Sequence, residues 1–134
     1  MAAKTFQFRL ITPQGKLLEG PATYASIPAH DGLMGILPNR AAMVVKLGLG
    51  ELKVELADGM KSYLIDEGFA QMATNRLTVL AARANDVAEL NAAEAKAELA
   101  AADARRPADK TDADKIKHDK ERARAKMRLA KTAR

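Results

Sequence analysis

Between residues 5 and 83 apolar side chains recur with period two in stretches that turn signals interrupt at short intervals. Phe6, Phe8 and Leu10 alternate with Gln7 and Arg9, and Leu52, Val54 and Leu56 alternate with Glu51, Lys53 and Glu55. Period two places alternate side chains on one face, the pattern of a strand lying on a core. Ala57-Asp58-Gly59-Met60 sets an Asp-Gly turn before Lys61–Asp66, which predicts a hairpin. Further turns are predicted at Pro13-Gln14-Gly15, Gly20-Pro21, Asp31-Gly32, Pro38-Asn39, Gly48-Leu49-Gly50 and Thr74-Asn75. Many strands separated by frequent turns imply an antiparallel sandwich or barrel.

After Arg83 glycine disappears, alanine dominates and the one remaining proline is Pro107. The grammar becomes helical. Asn85 or Asp86 can cap a first helix running to about Arg105, with Asp86 and Glu89 favourable at its positive end. Pro107 ends it, and Thr111 with Asp114 three residues on resembles a capping box that opens a second helix to about Lys131. Val87, Leu90, Ala97 and Ala101 predict a thin apolar stripe on the first helix; Ile116, Ala123, Met127 and Ala130 predict one on the second. The expected fold is an all-β N-terminal sandwich or barrel over 1–84, followed by a C-terminal antiparallel two-helix hairpin over 85–134, α+β overall. Small side chains let the helices approach closely but bury little area, so their docking is expected to be weak.

Composition narrows the chemistry. Aromatic residues make up 4% of the chain and tryptophan is absent, so the core must be aliphatic. Without cysteine, disulfides, Cys-ligated zinc and thiol nucleophiles are excluded, which fits a reducing, intracellular setting. No stretch approaches the ~20 apolar residues that span a bilayer, and the start of the chain lacks a leader pattern, so a soluble, unprocessed protein is expected. The net charge of +5 is unevenly placed: residues 1–85 carry nine Lys/Arg against seven Asp/Glu, residues 86–114 four against eight, and residues 115–134 nine against two.

A β domain of this size followed by a helical hairpin resembles the epsilon subunits of F-type rotary ATP synthases, and particular residues carry the resemblance. The family's Gly-x-x-Gly-apolar-(apolar or aromatic)-Pro-x-(His or Arg) loop stands here as Gly32-Leu33-Met34-Gly35-Ile36-Leu37-Pro38-Asn39-Arg40. Phe8-Arg9-Leu10-Ile11-Thr12-Pro13 with Gly15-Lys16 is similar to the opening strand and turn, Ile65-Asp66-Glu67-Gly68-Phe69-Ala70 to a strand ending in glycine, and Leu77–Ala81 to the closing strand. The resemblance implies a non-catalytic central-stalk subunit that couples proton-driven rotation to ATP synthesis. Its implied partners are the gamma subunit, along one face of the sandwich, the membrane ring of c subunits, and the alpha/beta head, reached by the C-terminal helices. Its implied place is peripheral, on the cytoplasmic face of the bacterial inner membrane. The ring contact falls on Asp31, Gly32, Leu33, Met34, Gly35 and Arg40; Leu33 stands where the family often carries an acid.

Catalytic chemistry is missing from the pattern. No Gly-x-x-x-x-Gly-Lys-Ser/Thr phosphate loop occurs, and Gly48-x-Gly50 lacks a third glycine. His30 and His118 stand far apart in sequence, and Asp66-Glu67 are strand neighbours that point to opposite faces, so neither a metal site nor an acid/base pair is predicted. Some bacterial members of the family bind ATP through an Ile/Leu-Asp-x-x-Arg-Ala motif; the matching segment is Leu90-Asn91-Ala92-Ala93-Glu94-Ala95. The acid has become an amide and the cation an acid. A carboxylate ~4 Å from a phosphate at an effective dielectric near 20 is repulsive by about 4 kcal/mol, so no nucleotide cofactor is expected.

The basic tail admits three readings. It is a solvated helix paired in part with the acidic first helix; or a nucleic-acid surface, as in a small basic nucleic-acid-binding protein with a β-barrel body, although the tail has no aromatic residue for stacking; or, as the resemblance implies, an arm whose Arg122, Arg124, Lys126 and Arg128 meet an acidic segment of the beta subunit and restrain hydrolysis. The resemblance favours the third and implies no nucleic-acid partner.

Overall fold

The structure, a computed structural model, describes residues 4–132 and divides into two compact units after Asn85. The first holds six strands: β1 (Phe6–Thr12), β2 (Gly15–Ala29), β3 (Gly32–Ile36), β4 (Met43–Leu56), β5 (Gly59–Ala73) and β6 (Arg76–Asp86). Their order is β1-β6-β5-β4-β2-β3, and β1 also pairs with β2, so five strands close into a ring with β3 added at the edge of β2. The pairs are antiparallel except β1–β6, which runs parallel with Arg9 opposite Thr78. Phe6, Phe8 and Leu10 from β1 meet Ile27, Ile36, Leu52, Val54, Ile65, Met72, Leu77 and Val79 in one buried cluster. Each large apolar side chain so buried contributes about 1.5–3 kcal/mol.

Two predicted turns lie inside strands instead. Gly20-Pro21 continues β2 with Pro21 opposite Gln7, and Gly48 and Gly50 lie within β4. A Cβ on Gly50 would stand 2.7 Å from the Pro28 Cβ, so the glycine permits close approach of neighbouring strands. The strand expected to end near Gly68 bends there and runs on to Ala73. Glu67 and Gly68 have φ of 62° and 145°, and a side chain at Gly68 would collide with the Leu80 carbonyl oxygen and come within 2.8 Å of the Ala81 Cα. The Thr74-Asn75 turn falls where the sequence puts it, both residues with positive φ, whereas the β4–β5 turn falls one residue early, at Ala57-Asp58, and Gly59 opens β5 opposite Leu56.

In the second unit a 3₁₀ turn (Val87–Glu89) precedes α1 (Ala92–Ala104) and α2 (Lys110–Thr132). Asp86 does act as a cap, but of the 3₁₀ turn, and α1 starts later with Asn91 as its cap. The box that opens α2 is made by Asp109 and Asp112 in place of Thr111 and Asp114: Asp109 Oδ1 accepts from the Asp112 amide at 2.8 Å, and Asp112 Oδ2 accepts from the Ala108 amide at 2.9 Å. Ion pairs Glu98–Lys126 and Asp103–Lys120 set the helices antiparallel. On α2 Ile116, Ala123 and Ala130 are buried as expected; on α1 the buried residues are Ala95 and Ala102, whereas Ala97 and Ala101 are exposed.

Candidate functional site

The signature segment is a strand more than a loop. Gly32–Ile36 forms β3, paired antiparallel with β2 so that Gly32 opposes Ala29 and Ile36 opposes Ala25. The bend expected between the two glycines sits just before them, at His30-Asp31, and Gly32 leaves it with φ of 138°. Alternation along β3 then fixes the side chains: Ile36 enters the core, Met34 packs half-buried against it, and Leu33 is 73% exposed. Asp31 and Arg40 are exposed, and Arg40 Nη1 donates to the Gly35 carbonyl at 3.3 Å, tying the end of the signature back to its middle.

Two residues outside the signature shape it. A Cβ at Gly35 would lie 3.1 Å from the Tyr24 hydroxyl, so the glycine makes room for that ring across the pair. Asn75, in the β5–β6 turn, accepts from the Asn39 amide and donates to the Thr5 carbonyl, both at 2.8 Å, pinning the exit of the signature to the start of β1. A glycine inside a strand and an asparagine in a turn are the available sequence signals, but neither names its partner.

A second surface is not singled out by the sequence. Val44 on β4, Phe69 on β5 and Leu80 on β6 alternate away from the core and are 70%, 54% and 49% exposed. These three adjacent strands therefore carry an apolar strip on the outer face of the β unit.

In the helical unit the four basic residues of the expected regulatory contact divide. Lys126 donates to Glu98 at 3.1 Å and Arg122 to Asp119 at 3.1 Å, with side chains only 16% and 15% exposed; Arg124 and Arg128 are exposed. Asp119 is the hub, since Arg105 also reaches it at 2.7 Å. Burial opposes ionisation of Asp119, yet the hydrogen bonds and charges of Arg105 and Arg122 outweigh it and hold the carboxyl below the usual aspartate range. Arg134, the last basic residue of the tail, lies outside the described residues.

The segment aligned with the ATP motif is occupied by helix initiation. Asn91 Oδ1 accepts from the amides of Ala93 at 2.8 Å and Glu94 at 3.2 Å, Glu94 lies exposed in the first turn of α1, Ala95 is buried and Leu90 half-buried. An acid in the first turn suits the positive end of a helix and opposes an incoming phosphate at the same place.

Comparison with known proteins places this arrangement among one group. A family profile described as ATP synthase, Delta/Epsilon chain, beta-sandwich domain matches residues 5–87. An ATP synthase epsilon chain of Jannaschia is 40% identical over 86 residues, 64% of this chain and 65% of that one. A sodium-ion-specific epsilon chain of Propionigenium modestum is 32% identical over 70% of this chain and 69% of its own length. The matched region thus spans about two thirds of these relatives. In fold, the chain resembles one in the cryo-EM structure of the Euglena gracilis mitochondrial ATP synthase, with a TM-score of 0.79 at 22% identity, covering 93% of this chain and 81% of that one. It also resembles one in the Tetrahymena thermophila central stalk and c-ring structure, with a TM-score of 0.73 at 15% identity over 97% and 99% of the two chains.

Proposed function

The chain belongs to the ATP synthase Delta/Epsilon chain family, as a non-catalytic subunit of a rotary ATP synthase, and we propose that its two units divide that role between coupling and control. Residues 1–84 bind gamma and the c ring, and residues 85–134 form a tail that restrains ATP hydrolysis by the alpha/beta head. The observation that most supports the first half is the exposed strip Val44, Phe69 and Leu80, an apolar face of the kind a permanent partner covers. We assign it to gamma, and the β3 edge with Asp31, Gly32, Leu33, Met34, Gly35 and Arg40 to the ring. The location is peripheral, at the cytoplasmic face of a bacterial inner membrane; no helix among the described residues is long and apolar enough to cross one. A nucleic-acid-binding role for the basic tail is not favoured by these relationships.

Co-purification with gamma tests the first half. A fragment ending at Ala84 is expected to retain gamma, and Phe69→Asp with Leu80→Asp to lose it; retention by the double variant, or loss by the fragment, overturns the assignment. The tail is tested by ATPase assays on reconstituted heads. Its cross-helix pairs are worth about 0–1 kcal/mol each, so an acidic surface on the beta subunit can compete for the same cations. Reversing Arg122, Arg124, Lys126 and Arg128 to Glu is expected to raise hydrolysis with assembly intact, and deleting residues 112–134 to raise it at least as much. Identical rates across salt and nucleotide conditions leave the tail without a restraining role. ATP is expected to shift the amides of Leu90–Ala95 only at roughly millimolar concentration or above, corresponding to about −4 kcal/mol.

A further inference from the structure

The outer face of β1, β6 and β5 carries a polar cup that coupling and tail control leave unused. Its volume is about 450 Å³, and it is lined, among the described residues, by Arg9, Gln71, Ala73, Thr74, Arg76 and Thr78. Strand pairing assembles it: the parallel β1–β6 register sets Gln7 opposite Arg76 and Arg9 opposite Thr78, bringing to one face two arginines that are far apart in sequence. Thr78 and Gln71 are short or flexible beside the arginines, which leaves a depression with donors on three strands. No carboxylate is among these lining residues.

The Arg9 guanidinium is incompletely satisfied. Its Nε is buried without a hydrogen-bond partner, and the nearest acid, Glu19, stands with Oε2 3.8 Å away, beyond hydrogen-bond reach. Glu19 is engaged instead by Lys16 at 2.9 Å. That hydrogen bond, with the charges of Lys16, Arg9 and Arg76, keeps its carboxyl below the ordinary glutamate range, so three cations share one acid. A charged group short of acceptors is unfavourable, and a phosphate that meets the Arg9 guanidinium in the cup it lines would relieve that shortage.

We propose that the cup between β1, β6 and β5 binds a phosphate-class oxyanion, held by Arg9 and Arg76 and oriented by Thr78 and Gln71. Two guanidinium groups match the charge of a dianion, and arginine's fork of donors fits phosphate oxygens. Donors arranged around a cup from several strands suit a tetrahedral oxyanion, which accepts on all sides, better than a planar carboxylate, which accepts within one plane. The phosphate can be free or carried by a nucleotide, and neither the signature strand nor the hairpin takes part.

The test is an NMR titration of the full chain with sodium phosphate, following the Arg Nε–H groups and the amides of Arg76 and Thr78, against chloride at matched ionic strength. The expected result is saturable shifts at these groups with phosphate and none with chloride. Arg9→Gln and Arg76→Gln should each weaken binding about tenfold or more, as loss of a charge-assisted hydrogen bond predicts. Arg9→Lys keeps the charge but lacks the guanidinium fork, and should fall between wild type and Arg9→Gln. A parallel titration with ADP identifies the source: tighter saturation at the same groups, lost in the same variants, assigns the cup to a nucleotide phosphate. Amide spectra of each variant confirm that it is folded. Shifts that never saturate, that chloride reproduces, or that persist unchanged in well-folded Arg9→Gln and Arg76→Gln overturn the proposal.

Discussion

The β unit and the helical unit are held by different physics. In the first, large side chains from all six strands are excluded from water in one cluster, and the ring of strands satisfies the backbone. In the second, the buried residues of α1 are alanines, and much of what joins the helices is ionic: Glu98 with Lys126, Asp103 with Lys120, and Asp119 with Arg105. Burying alanine removes little apolar area, and partly exposed ion pairs are screened. The first unit is therefore built to keep one shape under load, whereas the second lies at the low end of local stability, where elements that move are found.

The contrast is tested most severely at Gly68. Gly68→Ala adds a Cβ onto the backbone of β6 at a φ that L-residues avoid, and is expected to cost at least ~4 kcal/mol, read as loss of cooperative thermal unfolding. Ile116→Ala should cost about 2 kcal/mol and, if the helical unit opens by itself, speed hydrogen exchange in α1 and α2 while amides of the β core stay protected. Equal acceleration in both units would erase the distinction. Asn91→Ala removes a cap with two accepted hydrogen bonds and should lower the stability of α1 by about 1 kcal/mol, visible as fraying of its first turn.

The smallest effects are ionic. Because Asp119 titrates below its unfolded-state value of about 3.9, its contribution is complete above that pH and is lost as pH falls through the lower folded-state value. Helical circular dichroism should therefore begin to decline below about pH 4, and Asp119→Asn should remove that part of the acid sensitivity. Raising salt to about 1 M, where charges are screened beyond ~3 Å, should loosen the hairpin by less than about 1 kcal/mol and leave the β unit unaffected.

How much of the molecule is legible in its sequence depends on whether the signal is local. The alternation of Leu52, Val54 and Leu56 and the turn signals at Asp58-Gly59 and Thr74-Asn75 specify β4, β5 and β6 through neighbours, and the structure places the first turn within one residue and the second as expected. The switch to helix after Arg83 is visible as composition, but the buried side of α1 is not: in a run of alanines no residue is more apolar than the next, so periodicity carries no phase. The signature marks the β3 edge, yet its two glycines suggest a bend between them where the chain instead runs on as a strand. What the sequence conceals depends on contacts across the ring, such as Asn75 with Thr5 and Asn39, the collision that keeps Gly68 a glycine, and the meeting of Arg9 with Arg76.

The parallel pairing of β1 with β6 has a kinetic consequence. Phe8 lies opposite Leu77, so the ring cannot close until nearly the whole β unit has left the ribosome. The β1–β2 and β4–β5 hairpins can zip early from nearby residues, but the closing step must draw together ends separated by most of the unit, with the loop entropy and slow rate typical of non-local topology. During that interval the core-facing side chains of β1 and β5, and the edges of both strands that β6 will pair, are open to other chains. Synthesis paused after β5 should therefore give a sticky, aggregation-prone intermediate, and release of β6 should end that vulnerability in one step.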